Sequence, residues 1–413
     1  MARRSAVLGA VLVLMAGAAV AVLSPAPARA QSFDEAIRRA LDSNCQGLNG
    51  APPTGQYQPN LSAVCLAGPS GPGSTAGGSI ASQGNESAGT EARRILLRLE
   101  EKRQETSLGG IRAASADQNA QRGRLGVFLT TEFEWVDKNV SPNEPAFETS
   151  SKGLIAGADY AILPWLTAGA AVHYSYLDGS FDGDRGSFNT QSFGFTLYAS
   201  ASPMPNLFID GTIGYIHREY DISRRANFFL PNGVAAADGF ADGSTSGDEF
   251  NVAVLSGYDF HVGAFTVGPR FGVNYSTNSI DGYAENPRGT QPPTGLELVY
   301  DDQHRESLTT RLGFYSSYAF GTGFGVLVPQ LSAYWVHEFL NDQRVIYFRF
   351  REDNLQARLR FQTDKPDRDY FHVGAGLVLV LPKDVSAFVS YRVLLGYDDR
   401  IAHTLDAGVR VQF

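Results

Sequence analysis

The sequence predicts an all-β fold: a 12-stranded antiparallel transmembrane β-barrel, preceded by a pore-spanning or linker helix and a short low-complexity N-terminal segment. Three observations carry this. From about Leu125 to Phe413 apolar and polar residues alternate with a period of two, the signature of strands with one apolar and one polar face. The connections between these runs alternate between tight turns and long polar loops, as in membrane barrels with short turns at one end and long loops at the other. The 44 Gly, 26 Phe and 18 Tyr among 413 residues suit turn-rich β structure, and a charged fraction of 19% excludes a polytopic helical membrane protein.

The elements follow in order. Residues 1–30 read as a signal peptide: Arg3 and Arg4, an apolar run from Ala6 to Leu23, then the small-residue site Ala28-Arg29-Ala30. Residues 31–89 are a short passenger-like segment and a Gly/Ser/Pro linker; the stretch from Ala67 to Ser79 is too poor in apolar residues to offset the entropy of ordering. Cys45 and Cys65 close a loop containing Pro52, Pro53 and Pro59; in an oxidising compartment they are expected to form one disulfide, worth about 3 kcal/mol. Residues 90–123 are a linker with a helix over 91–105, capped by Thr90. Its apolar stripe, Ala92, Ile95, Leu96 and Leu99, is narrow; Arg93, Arg94, Arg98 and Lys102 share its other faces with glutamates. A solvated helix and a lumen helix both fit that pattern.

Residues 124–413 are the barrel. Strands are expected near 125–136, 152–162, 165–177, 188–201, 206–220, 248–261, 265–276, 307–320, 326–339, 370–381, 386–396 and 403–413. The last shows the pattern plainly: His403, Leu405, Ala407, Val409, Val411 and Phe413 share one face, and Thr404, Asp406, Gly408, Arg410 and Gln412 the other. Charge at a lipid face costs about 2–4 kcal/mol per Arg at the midplane, so the polar face turns inward. That assigns Glu132, Glu134, Asp159, Asp210, Arg218, Asp259, Arg270, Arg311, Glu338, Arg392, Asp406 and Arg410 to the lumen. Small residues such as Gly157, Gly169, Gly194, Gly214, Gly257, Gly272, Gly313 and Gly408 are expected to leave width inside. Phe133, Trp135, Tyr160, Trp165, Tyr174, Tyr176, Tyr215, Trp335 and Phe339 fall where interfacial aromatics belong.

Catalytic chemistry finds no motif. The seven His are spread over different strands, and no Gly-x-Ser-x-Gly elbow, His-Glu-x-x-His or P-loop occurs. The Asp-rich loops at 178–184 and 238–248 lack the spacing of a calcium loop. No enzyme activity, cofactor or metal is therefore expected, and a net charge of −9 argues against a nucleic-acid partner.

The C-terminal portion resembles the β-domain of the classical autotransporters (type V secretion). The resemblance rests on Pro329-Gln-Leu-Ser-Ala-Tyr-Trp-Val-His-Glu-Phe339, the Thr363–Phe371 stretch running into Gly374-Ala-Gly376, Phe388-Val-Ser-Tyr391, and the terminal Phe413. It implies a helix threading the pore before the first strand, a role that falls to 91–105 with Arg93, Arg94, Arg98 and Lys102. It also implies that Val409, Val411 and Phe413 form a signal read by the barrel-assembly machinery, and an external hairpin, here 344–350 against 355–361. The expected localisation is the bacterial outer membrane, with the N-terminal segment periplasmic or surface-exposed. Expected partners are outer-membrane lipid, the assembly machinery and periplasmic chaperones, for a monomer. The expected function is a translocator that exports or displays its own short N-terminal segment; the alternative is a non-secreting barrel acting as a pore or as an adhesin through its loops. Two features depart from the family: the linker from Thr106 to Gly123 is longer than expected between helix and barrel, and a segment of fewer than 60 residues stands where a long passenger would.

Overall fold

In a computed structural model the chain from Leu125 onward closes into a barrel. The structure describes residues 123–229, 235–353 and 356–413 and, ahead of them, Ile37, Ile95, Leu96 and Leu99. Twelve long strands form the wall: β1 (Leu125–Lys138), β2 (Phe147–Leu163), β3 (Leu166–Phe181), β4 (Gly186–Met204), β5 (Leu207–Phe229), β6 (Ala235–Tyr258), β7 (Phe265–Ile280), β8 (Gln303–Tyr318), β9 (Val326–Glu338), β10 (Asp369–Leu381), β11 (Val385–Leu395) and β12 (Arg400–Gln412). Each pairs antiparallel with the next. β12 returns to β1 in a register running from Gly126↔Gln412 to Lys138↔Arg400, so no sheet edge faces lipid.

Tight turns occupy one end. Lys383 and Asp384 both adopt positive φ (66° and 54°) between β10 and β11, the twist that a two-residue hairpin turn needs, and Gly263 does so at 62° between β6 and β7. The long connections all lie at the other end. There the strands outrun the expected boundaries: β2 begins at Phe147 rather than 152, β5 runs to Phe229 rather than 220, and β6 begins at Ala235 rather than 248. A crossing needs only about 9–11 residues, so these extensions stand clear of lipid. Their outward positions include Glu148, Ser150, Asp221, Arg225, Asp238 and Ser244, polar residues that still pair through the backbone but no longer alternate in hydropathy as a lipid-facing strand does.

Inside and outside follow residue parity. On β1, Leu125, Val127, Leu129, Phe133 and Trp135 are exposed, while Phe128, Thr130, Glu132, Val136 and Lys138 are buried. The same alternation holds along β12. The nine aromatics expected at the interfaces are all exposed, Tyr160 and Trp165 beside the tight turns and the others further toward the long loops. An apolar exterior carried around twelve strands far exceeds the patches of a few hundred Å² that soluble monomers show, and it requires lipid.

The inward glycines do not leave empty width. Six times an inward ring stands directly opposite a glycine on the neighbouring strand: Phe128 and Gly157, Tyr198 and Gly169, Phe188 and Gly179, Phe208 and Gly257, Tyr334 and Gly313, Phe388 and Gly408. In each pair a Cβ on the glycine would strike the ring itself, so the ring lies flat along the wall where only glycine permits it. His173 lies over Gly194 in the same way.

A second, four-stranded sheet closes the long-loop end, in the order 359–362, 345–350, 298–300, 283–284. It contains the expected external hairpin in shorter form, Val345–Phe350 pairing Leu359–Gln362 with Val345 opposite Gln362. Ile346, Phe348 and Phe350 are buried on one face of it, against Phe147, Phe181, Phe188, Tyr220, Ile222 and Ile280 from the barrel rim. Those inward apolar rim residues are why the loops fold down over the mouth instead of projecting into water.

Candidate functional site: lumen and mouth

Every residue assigned to the lumen lies on the inward parity of its strand, Asp259 continuing that parity just past the end of β6, and all but the partly buried Glu134 are nearly inaccessible. Charges so placed persist only when paired and hydrogen-bonded, and the interior is laced with such pairs. Near the tight turns, Arg410 Nη2 donates to Asp159 Oδ1 at 2.8 Å, reaching from β12 past Gly126 of β1 to β2. Arg270 Nη2 donates to Asp259 Oδ1 at 2.6 Å, and its guanidinium sits between the rings of Phe208 and Tyr315, 4.8 and 5.0 Å from their centroids. Midway, Arg392 pairs with Asp406 at 3.0 Å and Arg218 with Glu249 at 2.7 Å. Glu338 accepts from the backbone N–H groups of Leu308 (2.9 Å) and Leu340 (3.0 Å), and Thr404 donates to Glu134 at 3.2 Å. Asp210 is fully buried in the wall and Glu132 nearly so.

The two halves of the wall differ. Along β1 to β6 the polar parity carries an apolar patch: Phe128, Ile155, Ala171, Tyr198, Phe208, Ala253 and Leu255. Against it pack Ile95, Leu96 and Leu99, each helical and no more than 3% exposed. The narrow stripe of the 91–105 helix thus has a counterpart inside the barrel. Along β7 to β12, and across the seam to β1, runs a cavity of about 120 Å³, lined by Arg305, Arg311, Arg392 and Arg400 together with Glu134, Glu338 and Asp367.

At the mouth the apolar core includes Ile37, helical and 2% exposed, among rim and loop-sheet residues. Polar locks hold the loops over it. Arg224 of β5 donates to both carboxylate oxygens of Glu285 (2.9 and 2.6 Å) and to the Leu296 carbonyl (2.8 Å), while Leu298 N–H donates to Glu285 at 2.9 Å. Lys138 contacts Glu144 at 3.6 Å and Asp399 at 3.1 Å, and the 139–146 loop is tied to the 339–368 connection by Asn143 N–H on Asp364 (3.2 Å). Burial holds the Glu144 carboxyl above the ordinary carboxylate range, although Lys138 pulls it back down. Burial likewise pushes the stacked Tyr283 and Tyr300 phenols well up. Arg224, Glu285, Lys138 and Glu144 escape the sequence reading, which ends the strands too soon; the inward parity of Arg218, extended by three steps of two residues, leads to Arg224.

Other assigned residues fall elsewhere. Val409 and Phe413 face outward at the barrel seam, where Phe413 N–H donates to the Leu125 carbonyl at 2.7 Å. Val411, on the same outward parity, is partly buried. Cys45, Cys65, Arg93, Arg94, Arg98, Lys102 and the signal peptide lie outside the described residues. Among the described residues no group of three or more His, Cys, Asp or Glu is placed to hold a metal ion, and no helix is long and apolar enough to cross a membrane. His217 and His337 are on the outer surface, sharing Asp248 and Asp369 with Tyr215 and Trp335 respectively.

Comparison with known proteins agrees with this geometry. The family model described as autotransporter beta-domain matches residues 127–392. The YaiT proteins of Escherichia coli (strain K12) and Salmonella typhimurium (strain LT2) are 26% identical over 270 and 271 residues, 64% of this chain in both cases. The chain spans only about a quarter of the length of these curated relatives (25% and 24%). The translocator domain of the autotransporter NalP from Neisseria meningitidis superposes with a TM-score of 0.55 at 15% identity, covering 79% of this chain and 98% of that one. Family, closed 12-stranded wall and lipid-facing exterior coincide: the chain belongs to the autotransporter β-domain family and is an outer-membrane β-barrel of type V secretion.

Proposed function

We propose that the barrel is a translocator whose cargo is its own N-terminal segment, carried through the lumen from the periplasmic, tight-turn end to the external, long-loop end. One observation carries this reading. Leu96 and Leu99 are buried against the periplasmic half of the wall, whereas Ile37, earlier in the chain, is buried in the external mouth. The N-terminal segment thus has one described contact at each end of the pore. Both apolar clusters draw their wall residues from β1 to β7, so that side of the wall is the track, while the arginine-lined cavity lies mainly along β8 to β12 and meets the track side only at Glu134, Val136 and Asn274. The mixed charges of the helix suit a lumen whose own Arg and carboxylates are internally paired, because paired wall charges have little left with which to trap a passing segment.

Two further roles belong to this reading. The seam residues Val409, Val411 and Phe413 are on the lipid side, open to the assembly machinery before β12 closes on β1. The barrel works as a monomer in lipid, without cofactor or catalysis.

The test uses a full-length chain with Cys45→Ser, Cys65→Ser and Ile37→Cys, in which residues 346–361 are replaced by a short Gly/Ser turn. A membrane-impermeant maleimide applied to intact cells labels residue 37 if the segment has crossed. Labelling only after the outer membrane is permeabilised would refute translocation and leave the barrel standing.

A further inference from the structure

We propose that the segment is not released beyond the barrel but is retained at the mouth, with Ile37 as a peg locked beneath the loop sheet, so that the translocator ends as a sealed, self-occupied barrel. The inference rests on the translocation reading and adds where the journey stops. Its occupant is on the page: Ile37 is 2% exposed and shares one core with Tyr220, Ile222 and Ile280 of the rim and Leu298, Phe348 and Phe361 of the loop sheet.

A segment displayed to the medium would leave an apolar floor under those loops open to water, and the loops would have nothing to close on. Instead floor, lid and peg form a single cluster. The lid is fastened independently of the peg. Arg224 ties the 281–302 connection to β5 through Glu285, and Asp364 ties the 339–368 connection to the 139–146 loop through Asn143. Outward passage of Ile37 therefore requires the lid to open first. At the other end Ile95, Leu96 and Leu99 hold the same chain against the wall, so the segment is fixed at two points.

The experiment compares the rate at which Ile37→Cys is modified in intact cells, with both native cysteines replaced by Ser, in the chain with its lid whole and in the chain with 346–361 replaced. Val140→Cys, on a loop side chain 71% exposed, serves as the external reference, and a heat-modifiable gel shift verifies that each barrel is folded. Retention predicts modification at least about tenfold slower with the lid whole than with the lid replaced, because reagent access then requires local opening. It also predicts an oxidative cross-link between Ile37→Cys and Phe348→Cys in the whole-lid chain. Equal, fast modification with and without the lid, together with no cross-link, overturns retention while leaving translocation intact. Modification of neither chain until the outer membrane is permeabilised overturns both.

Discussion

The Arg224–Glu285 pair allows the lid to be opened without touching the wall. Both side chains are 1% exposed, and Glu285 takes two hydrogen bonds from the guanidinium and one from Leu298 N–H. Glu285→Leu therefore strands a buried cation, at about 3–5 kcal/mol, and orphans a backbone donor at about 1–3 kcal/mol. Taking about 3 kcal/mol as the floor, the fraction of time the lid stands open rises by about two orders of magnitude, since each 1.4 kcal/mol is tenfold. Arg224→Met combined with Glu285→Leu removes the charge as well as its partner and restores most of the protection, because apolar groups of similar volume replace a buried pair at little cost. Hydrogen exchange of the amides at 298–300 and 345–350 measures the opening directly, with the gel shift as the control for the barrel. Exchange in Glu285→Leu within a few-fold of the unaltered protein, or a double variant as open as the single, would refute the view that this pair fastens the lid.

Two other outcomes follow from the same geometry. Gly126→Val puts a side chain where the Arg410 guanidinium crosses β1 toward Asp159, so that pair is broken at a cost of about 3–5 kcal/mol. The barrel should lose its heat-modifiable form at a clearly lower temperature, while Gly321→Val, in a turn with open space around it, should not. Glu144 sets a pH dependence. Its folded-state pKa is raised, so its contribution to lid stability is fully present below the unfolded value near 4.5 and is lost as pH rises through the folded value. Glu144→Gln should flatten the pH profile of exchange protection at 139–146 and protect better than Glu at neutral pH, Lys138 keeping Asp399 as its partner; equal loss of protection at every pH would contradict this.

What the sequence made legible was parity. A period of two, combined with the cost of charge in lipid, places Arg270, Arg392, Asp406 and Arg410 inside without any knowledge of their neighbours. Pairing was not legible. That Phe208 covers Gly257, or that Arg410 meets Asp159 across an intervening strand, depends on the stagger between strands, which loop lengths and barrel closure set together. Phe128, Ile155 and Leu255 stood on the polar parity as irregularities; their meaning required the apolar stripe of residues 95–99 beside them. The lid stayed hidden for a third reason. Its strands are two to six residues long, and its apolar face is completed by the barrel rim rather than by its own sequence.

The rings laid over glycines bear on friction. A conduit built from twelve strands has a nearly fixed circumference, so its usable bore depends on how far each residue stands off the backbone. Aromatic side chains normally stand off most. Folding them sideways into notches left by a missing methyl gives polished panels, with the stiffness of a ring and the thinness of an alanine. A polypeptide drawn along such a surface meets few knobs to catch on. Filling one notch, as in Gly257→Val, would raise Phe208 and Arg270 into its path, since the added carbon would come within 2.6 and 2.7 Å of them. If the segment is carried as proposed, the obstruction would fall at the tight-turn doorway, and everything entering behind it would queue.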